Sequence, residues 1–149
     1  MTAHTEPQFD PKLGLLLLGR YRVVRKLGEG GMGAVYEGKH ELINKRLAIK
    51  CLHAQYTSNK EVVERFYREA NAATAVGNEH IIEVSDVGQF DDGSPFIVME
   101  FLEGIEFGRL IENEGSLPIS RLIHIVTQVC DALSAAHERG IVHRDMKPE

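Results

Sequence analysis

The fold is decided by the run Gly28-Glu29-Gly30-Gly31-Met32-Gly33-Ala34-Val35, which stands between two stretches of strand-like composition. Residues 21–27 alternate roughly between polar and apolar side chains, and residues 34–40 resume that character after the glycines. A GxGxxG run opens a dinucleotide-binding unit when its third glycine leads into a helix. Because strand-like residues follow Gly33, we predict a strand-loop-strand hairpin instead.

The glycines of this run predict a place where the backbone meets a ligand. Gly28, Gly30 and Gly33 have no side chains, so their N–H groups can approach a phosphate closely. Taken alone, the spacing does not exclude a dinucleotide-dependent oxidoreductase. That alternative rests on the glycines only, since no acidic residue ends a clear second parallel strand to bind a ribose.

The remaining elements are predicted from periodicity and from turn and capping residues. Further strands are predicted over residues 47–52, 82–90 and 96–101. Helices are predicted over residues 58–76, 106–112 and 118–139. Ser58 and Glu61 fit a capping box at the start of the first helix, and Gly77 fits its end. The fold class is therefore α+β: a five-stranded antiparallel sheet with one inserted helix, followed by further helices.

Lys50 lies within the third predicted strand and shares a face of that strand with Ala48, because alternate strand residues point the same way. A lysine in an apolar strand either lies at an edge, with its ammonium group in water, or has an acidic partner. Glu69 is the candidate partner, since on the first helix it shares a face with Phe66 and Ala73.

A carboxylate on the apolar face of a helix is costly unless it is paired. We therefore expect a desolvated ion pair between Lys50 and Glu69, whose disruption would cost about 3–5 kcal/mol. In the alternative arrangement Glu69 lies at the border of the apolar stripe and is hydrated.

The most specific motif follows the last helix and reads His143-Arg144-Asp145-Met146-Lys147-Pro148-Glu149. An aspartate can accept the proton of an attacking hydroxyl group, and a lysine two residues further on can reach the oxygens of a phosphoryl group. A solvated charged segment would not require this order of residues after an apolar helix.

In this order, the glycine-rich run, Lys50, Glu69 and the terminal motif resemble the first half of the protein-kinase signature. From about residue 21 to residue 149 the chain resembles the N-terminal part of the catalytic domain of a bacterial-type (Hanks-type) serine/threonine protein kinase, ending within the catalytic loop. The resemblance implies ATP as cosubstrate and a protein serine or threonine hydroxyl as acceptor. A lysine at position 147 is the pattern of serine/threonine kinases rather than tyrosine kinases.

The resemblance also implies roles for individual residues. Asp145 would be the catalytic base, Lys147 would contact the transferred phosphate, and Lys50, paired with Glu69, would hold the α- and β-phosphates. Met99 would be the gatekeeper. The implied ATP-binding residues are Leu27, Gly28, Gly30, Gly33, Val35, Ala48, Lys50, Met99, Glu100 and Leu102.

The family pattern continues with an asparagine, an Asp-Phe-Gly motif and an activation loop, which residues 1–149 do not contain. We therefore expect the Mg²⁺ ligands to lie beyond residue 149 and this polypeptide alone to be inactive. The alternative function is that of a non-catalytic nucleotide-binding or protein-interaction module, effectively half a kinase.

Composition sets the remaining expectations. The net charge of −5 argues against nucleic acid as a partner. Cys51 and Cys130 lie in apolar runs and fit a reducing, cytoplasmic location. Residues 15–18 are leucines, too few to cross a bilayer, and we expect them to pack on the first strand; a membrane anchor beyond residue 149 stays open.

We divide the chain into a loosely ordered lead-in (residues 1–18), an N-lobe with its hinge (19–102) and the beginning of a C-lobe (103–149). In the last part, Leu122, Val126, Val129 and Leu133 form an apolar stripe at helical spacing. Exposure of these four side chains would forfeit about 1.5–3 kcal/mol each. We therefore expect this helix either to associate with other apolar surfaces or to be mobile, and the polypeptide to dimerise or self-associate.

Overall fold

The computed structural model describes residues 10–148, so the predictions that fall on residues 1–9 and on Glu149 lie outside the described residues. The strands are β1 (Leu16–Leu17), β2 (Tyr21–Glu29), β3 (Gly33–His40), β4 (Arg46–Leu52), β5 (Val84–Gln89) and β6 (Pro95–Glu100). The helices are α1 (Lys60–Val76), α2 (Phe107–Glu114) and α3 (Ile119–Glu138), and a 3₁₀ turn covers Ala54–Tyr56.

The strands form one antiparallel sheet in the order β1-β2-β3-β4-β6-β5. The predicted α+β class is confirmed, and the sheet has six strands rather than five. The additional strand is β1, where Leu16 pairs with Arg22 and Leu17 pairs with Tyr21. Leu17 is buried, as expected for the leucine run, whereas Leu15, Leu16 and Leu18 are exposed.

The two faces of the sheet bury separate apolar clusters. One face carries Val23, Tyr36, Ile49 and Phe96, with Leu17 covering it from the N-terminal side. The other face packs on α1. There the side chains that make contact are Leu52, Phe66, Ala70 and Ile97, with Tyr56, Val62 and Met99 partly buried around them.

Helix α1 ends as predicted and begins two residues later than predicted. Gly77 adopts the left-handed conformation that terminates many helices, with φ of 61°. The N-cap is Asn59 rather than Ser58: its side-chain oxygen accepts a hydrogen bond from the Val62 N–H at 3.3 Å. The capping box predicted from Ser58 and Glu61 is therefore wrong, because asparagine next to the helix serves the same purpose.

Helix α3 contacts the N-terminal part of the chain along one side only. Asn78 donates a hydrogen bond to Asp131 at 3.0 Å, and the guanidinium group of Arg139 donates to the Ala75 carbonyl. Leu122, Val126 and Val129 are exposed, as the sequence predicted, while Leu133 is half-buried. Within residues 10–148, no helix combines the length and the apolar character that a bilayer crossing requires.

Candidate active site

Lys50 and Glu69 form the expected ion pair between the sheet and α1. Lys50 Nζ lies 3.3 Å from Glu69 Oε2. The expectation of a desolvated pair is wrong, since 44% of the Lys50 side chain and 57% of the Glu69 side chain are exposed. An exposed pair of this kind contributes about 0–1 kcal/mol to stability, so its two charges remain accessible to a ligand.

The position of Glu69 follows from which residues of α1 meet the sheet. Phe66 and Ala70 are the buried residues at the centre of the helix, and Val62 packs beside them. Glu69 stands next to Ala70 along the helix and so lies at the border of this stripe. The ammonium group of Lys50 contacts Glu69 and also lies 5.8 Å from the centre of the Phe66 ring.

The glycine-rich run connects β2 and β3 as an antiparallel hairpin, which confirms the predicted strand-loop-strand arrangement. Gly28 pairs with Val35 and Glu29 with Ala34, and the Gly30 N–H donates to the Gly33 carbonyl at 2.8 Å. A helix does not follow Gly33. The geometry of a dinucleotide-binding βαβ unit is therefore absent from this part of the chain.

The three glycines are needed for different physical reasons. A Cβ atom at Gly28 or at Gly30 would meet nothing within 4 Å, so the space beside them is open to a ligand. A Cβ atom at Gly33 would lie 2.0 Å from the Cys51 carbonyl oxygen on β4. Gly33 is thus required by backbone packing, which the sequence argument about phosphates did not predict.

The expected adenine-binding side chains lie on the same face of the sheet as Lys50. Val35 is directly opposite Lys50, and Ala48 is directly opposite Met99. Ala48 is buried, whereas Val35 and Met99 are half-buried. Leu27 is exposed near the end of β2. These residues provide an apolar floor beneath the glycine hairpin.

Glu100 is the last residue of β6, and Leu102 belongs to the segment that follows this strand. The Glu100 N–H donates to the Glu83 carbonyl at 2.9 Å, so it is engaged within the fold. Leu102 lies beyond the strand and is 65% exposed. Glu100 and Leu102 therefore stand at the rim of the apolar floor, at the start of the connection to α2.

The terminal motif lies in an extended loop after α3 and turns back to contact α2. The Gly108 N–H donates to the Pro148 carbonyl at 2.7 Å, and the Asp145 N–H donates to His143 Nδ1 at 3.4 Å. Arg144 adopts a positive φ of 64°, a conformation that non-glycine residues adopt at a cost and that is concentrated at functional sites. Asp145 and Lys147 are both exposed.

A cleft of about 680 Å³ between α1 and α3 brings the predicted residues of the two parts together. Glu69 and Ala73 line it from α1, while His143 and Asp145 line it from the terminal loop. Lys50 is hydrogen-bonded to Glu69 beside the cleft. Among residues 10–148, no three histidine, cysteine or acidic side chains lie close enough together to hold a metal ion between them.

A charged cluster that sequence reasoning missed joins the sheet to the segment after β6. Arg46 Nε donates to Glu37 Oε1 at 2.8 Å, and Arg46 Nη1 donates to Glu103 Oε1 at 2.6 Å. The Arg46 guanidinium also lies 3.9 Å from the centre of the Phe101 ring. Glu37, Arg46 and Glu103 lie on separate segments, and no sequence motif predicts that they meet. Only the tertiary structure identifies the cluster.

Glu37 is the buried member of this cluster, directly opposite Ala48 on the face that carries Lys50. Its Oε2 atom lies 2.7 Å from Arg25 Nη2, a contact of charges without the alignment of a hydrogen bond. The hydrogen bond from Arg46 is the largest influence on Glu37 and lowers the pKa of its carboxyl group, with the charge of Arg25 acting in the same direction. The carboxylate therefore stays ionised at neutral pH.

The family model described as "Protein kinase domain" matches residues 21–149. The chain belongs to the protein kinase family. It is 44% identical over 140 residues to serine/threonine-protein kinase Pkn1 of Myxococcus xanthus, a match that covers 94% of the chain and 20% of Pkn1. It is 40% identical over 137 residues to the probable serine/threonine-protein kinase pknA2 of Bifidobacterium longum, covering 90% of the chain and 18% of pknA2.

Solved structures agree with this membership. The kinase domain of PknI from Mycobacterium tuberculosis superposes with a TM-score of 0.74 at 37% identity, covering 91% of this chain and 55% of that domain. The protein-kinase-like fold is therefore shown. The chain spans about a fifth of the length of Pkn1 and of pknA2.

Proposed function

We propose that this chain is the ATP-binding portion of a serine/threonine protein kinase, which transfers the γ-phosphate of ATP to serine or threonine hydroxyls of proteins. The observation that carries the proposal is the 3.3 Å contact between Lys50 and Glu69 on the face of the sheet below the glycine hairpin. The accessible ammonium group supports binding of a polyphosphate, because charged hydrogen bonds to phosphate are strong.

The ATP-binding roles follow the positions of the residues. The open space beside Gly28 and Gly30 supports close approach of phosphates to the hairpin. The apolar floor of Leu27, Val35, Ala48 and Met99 supports the adenine ring, and backbone groups of Glu100 and Leu102 would bond its edge. Gly33 contributes through the shape of the hairpin.

The transfer step assigns one role to Asp145 and another to Lys147. Asp145 would accept the proton of the substrate hydroxyl while the hydroxyl oxygen bonds to the γ-phosphorus and the bond to the β-phosphate oxygen breaks, releasing ADP. Lys147 would stabilise the negative charge on the transferred phosphoryl oxygens. Mg²⁺, when bound, would neutralise phosphate charge, and by the family pattern its protein ligands would follow residue 149.

Ligand binding by the purified polypeptide tests this proposal. We expect ATP to raise the melting temperature and NAD to leave it unchanged, because the glycine-rich hairpin is followed by a strand and not by the helix of a dinucleotide-binding unit. We also expect no transfer of labelled phosphate from ATP to a protein acceptor, since residues 1–149 contain no Asp-Phe-Gly motif. Stabilisation by NAD but not by ATP would contradict the proposed function, and phosphate transfer would contradict the expected inactivity.

The exposed side of α3 supports self-association of the polypeptide. Ile119 is 75% exposed and Ile123 is 60% exposed, beside the exposed Leu122 and Val126. Apolar side chains grouped on one surface favour association in water. We expect light scattering to show a mass above that of the monomer at high concentration, and the double substitution L122S/V126S to reduce it. A monomer at all concentrations would contradict the expectation.

The proposed kinase function also implies a division of the chain into two lobes and a cellular location. We propose an N-lobe with its hinge over residues 19–102 and the beginning of a C-lobe over residues 103–149, a division that limited proteolysis would test. The two free cysteines, Cys51 and Cys130, and ATP as cosubstrate support a cytoplasmic location, which fractionation of cells would test.

A further inference from the structure

The tip of the glycine hairpin is held by the segment that follows β4. His53 Nε2 lies 3.0 Å from the Gly30 carbonyl oxygen, and the Tyr56 hydroxyl donates to the Gly31 carbonyl at 3.1 Å. The backbone N–H of His53 donates to the Met32 carbonyl at 3.0 Å. Three consecutive carbonyl groups of the hairpin tip are therefore bonded to His53 and Tyr56.

These bonds determine where the neighbouring N–H groups point. In a trans peptide the carbonyl of one residue and the N–H of the next point in opposite directions, and the described chain contains no cis peptide. Holding the carbonyls of Gly30, Gly31 and Met32 toward the 3₁₀ turn therefore directs the N–H groups of Gly31, Met32 and Gly33 away from it. Successive N–H groups oriented together form a site for an anion.

The holding residues are themselves fixed. The Tyr56 ring packs against the apolar cluster that contains Leu52 and Phe66. Its backbone N–H donates to the His53 carbonyl at 3.0 Å, and its carbonyl accepts from Asn59, the N-cap of α1, at 3.0 Å. The segment from His53 to Asn59 thus connects the hairpin tip to the helix that carries Glu69.

The charges beside the hairpin support the same role. Glu29 would repel a polyphosphate, but its Oε2 atom accepts a hydrogen bond from Lys26 Nζ at 2.9 Å, and its Oε1 atom lies 3.7 Å from His53 Nε2. Because a carbonyl oxygen can only accept, Nε2 of His53 carries a proton in its contact with Gly30. The Lys26 ammonium group and the Nε2–H group of His53 therefore both offset the negative charge of the Glu29 carboxylate.

We propose that His53 and Tyr56 are positioning residues of the phosphate site, which hold the carbonyl groups of the hairpin tip so that its N–H groups are oriented for the phosphates of ATP. The proposal rests on the proposed function. It predicts an effect on the part of the affinity that the phosphates contribute, and none on the part contributed by adenosine.

Calorimetric titration of the full chain with ATP and with adenosine tests this role. Each of the variants H53A and Y56F is expected to lower ATP affinity about three- to tenfold, the loss associated with one hydrogen bond, with adenosine affinity unchanged. H53Q, which keeps an N–H donor near the position of Nε2, is expected to restore most of the loss. The matched control is Y67F, which removes a hydroxyl that donates to the Gly88 carbonyl at 3.3 Å, outside the hairpin; it is expected to leave both affinities unchanged.

The outcomes separate the inference from the proposed function. If the wild-type chain binds ATP no more tightly than adenosine, the proposed function fails. If the wild-type chain prefers ATP and H53A and Y56F keep that preference, only the inference fails. An equal loss for ATP and adenosine, or the same loss in Y67F, would overturn the inference by indicating general damage, which thermal melting of each variant would show independently.

Discussion

Replacement of Lys50 with alanine is expected to lower the ATP affinity of the chain by about ten- to a hundredfold, because hydrogen bonds to charged groups contribute about 1.5–3 kcal/mol. Lys50 carries the ammonium group that meets Glu69 under the glycine hairpin. The same substitution is expected to change the free energy of unfolding by no more than about 1 kcal/mol, since the ion pair is exposed. Calorimetric titration and urea unfolding measure the two quantities.

Two further variants make the Lys50 result specific. K39A removes an exposed lysine from β3 and is expected to leave ATP affinity unchanged, which separates the effect of Lys50 from a general loss of positive charge. E69Q keeps the shape of the side chain and removes its charge, and is expected to weaken ATP binding less than K50A. Equal ATP affinities for K50A and the wild type would show that this lysine does not bind phosphate.

Replacement of Gly33 with alanine is expected to destabilise the fold, because the new methyl group would lie 2.0 Å from the Cys51 carbonyl oxygen. Backbone atoms of a central strand cannot move aside as a flexible side chain can. β3 and β4 must then separate near Leu52, at a cost of about 1–3 kcal/mol or more for overpacking. Urea unfolding followed by circular dichroism measures this loss.

The neighbouring glycines supply the matched controls for Gly33. At Gly28 and Gly30 a Cβ atom would enter open space. The free energies of unfolding of G28A and G30A are therefore expected to lie within about 0.5 kcal/mol of the wild-type value. Both are expected to weaken ATP binding, since the methyl group would occupy space that the phosphates approach. A G33A variant as stable as G28A would contradict the packing role of Gly33.

Much of the fold could be predicted because its signals are local. Strand-like residues on both sides of the glycines predicted the β2–β3 hairpin, and Gly77 predicted the end of α1. The pairing of Lys50 with Glu69 was predicted from one charge on a strand and another on a helix. The strand at Leu16–Leu17 was missed, because two residues are too few to show a period.

The amino-acid sequence by itself determined the order of motifs that identifies a protein kinase and the residues proposed to bind and transfer phosphate. The tertiary structure decided how those residues are used: Glu69 is hydrated at the border of α1, Gly33 is required by the Cys51 backbone, and His53 and Tyr56 hold the hairpin. The physical reason is that exposure and close approach depend on which segments meet in space, whereas a motif records only residue types and their spacing along one segment.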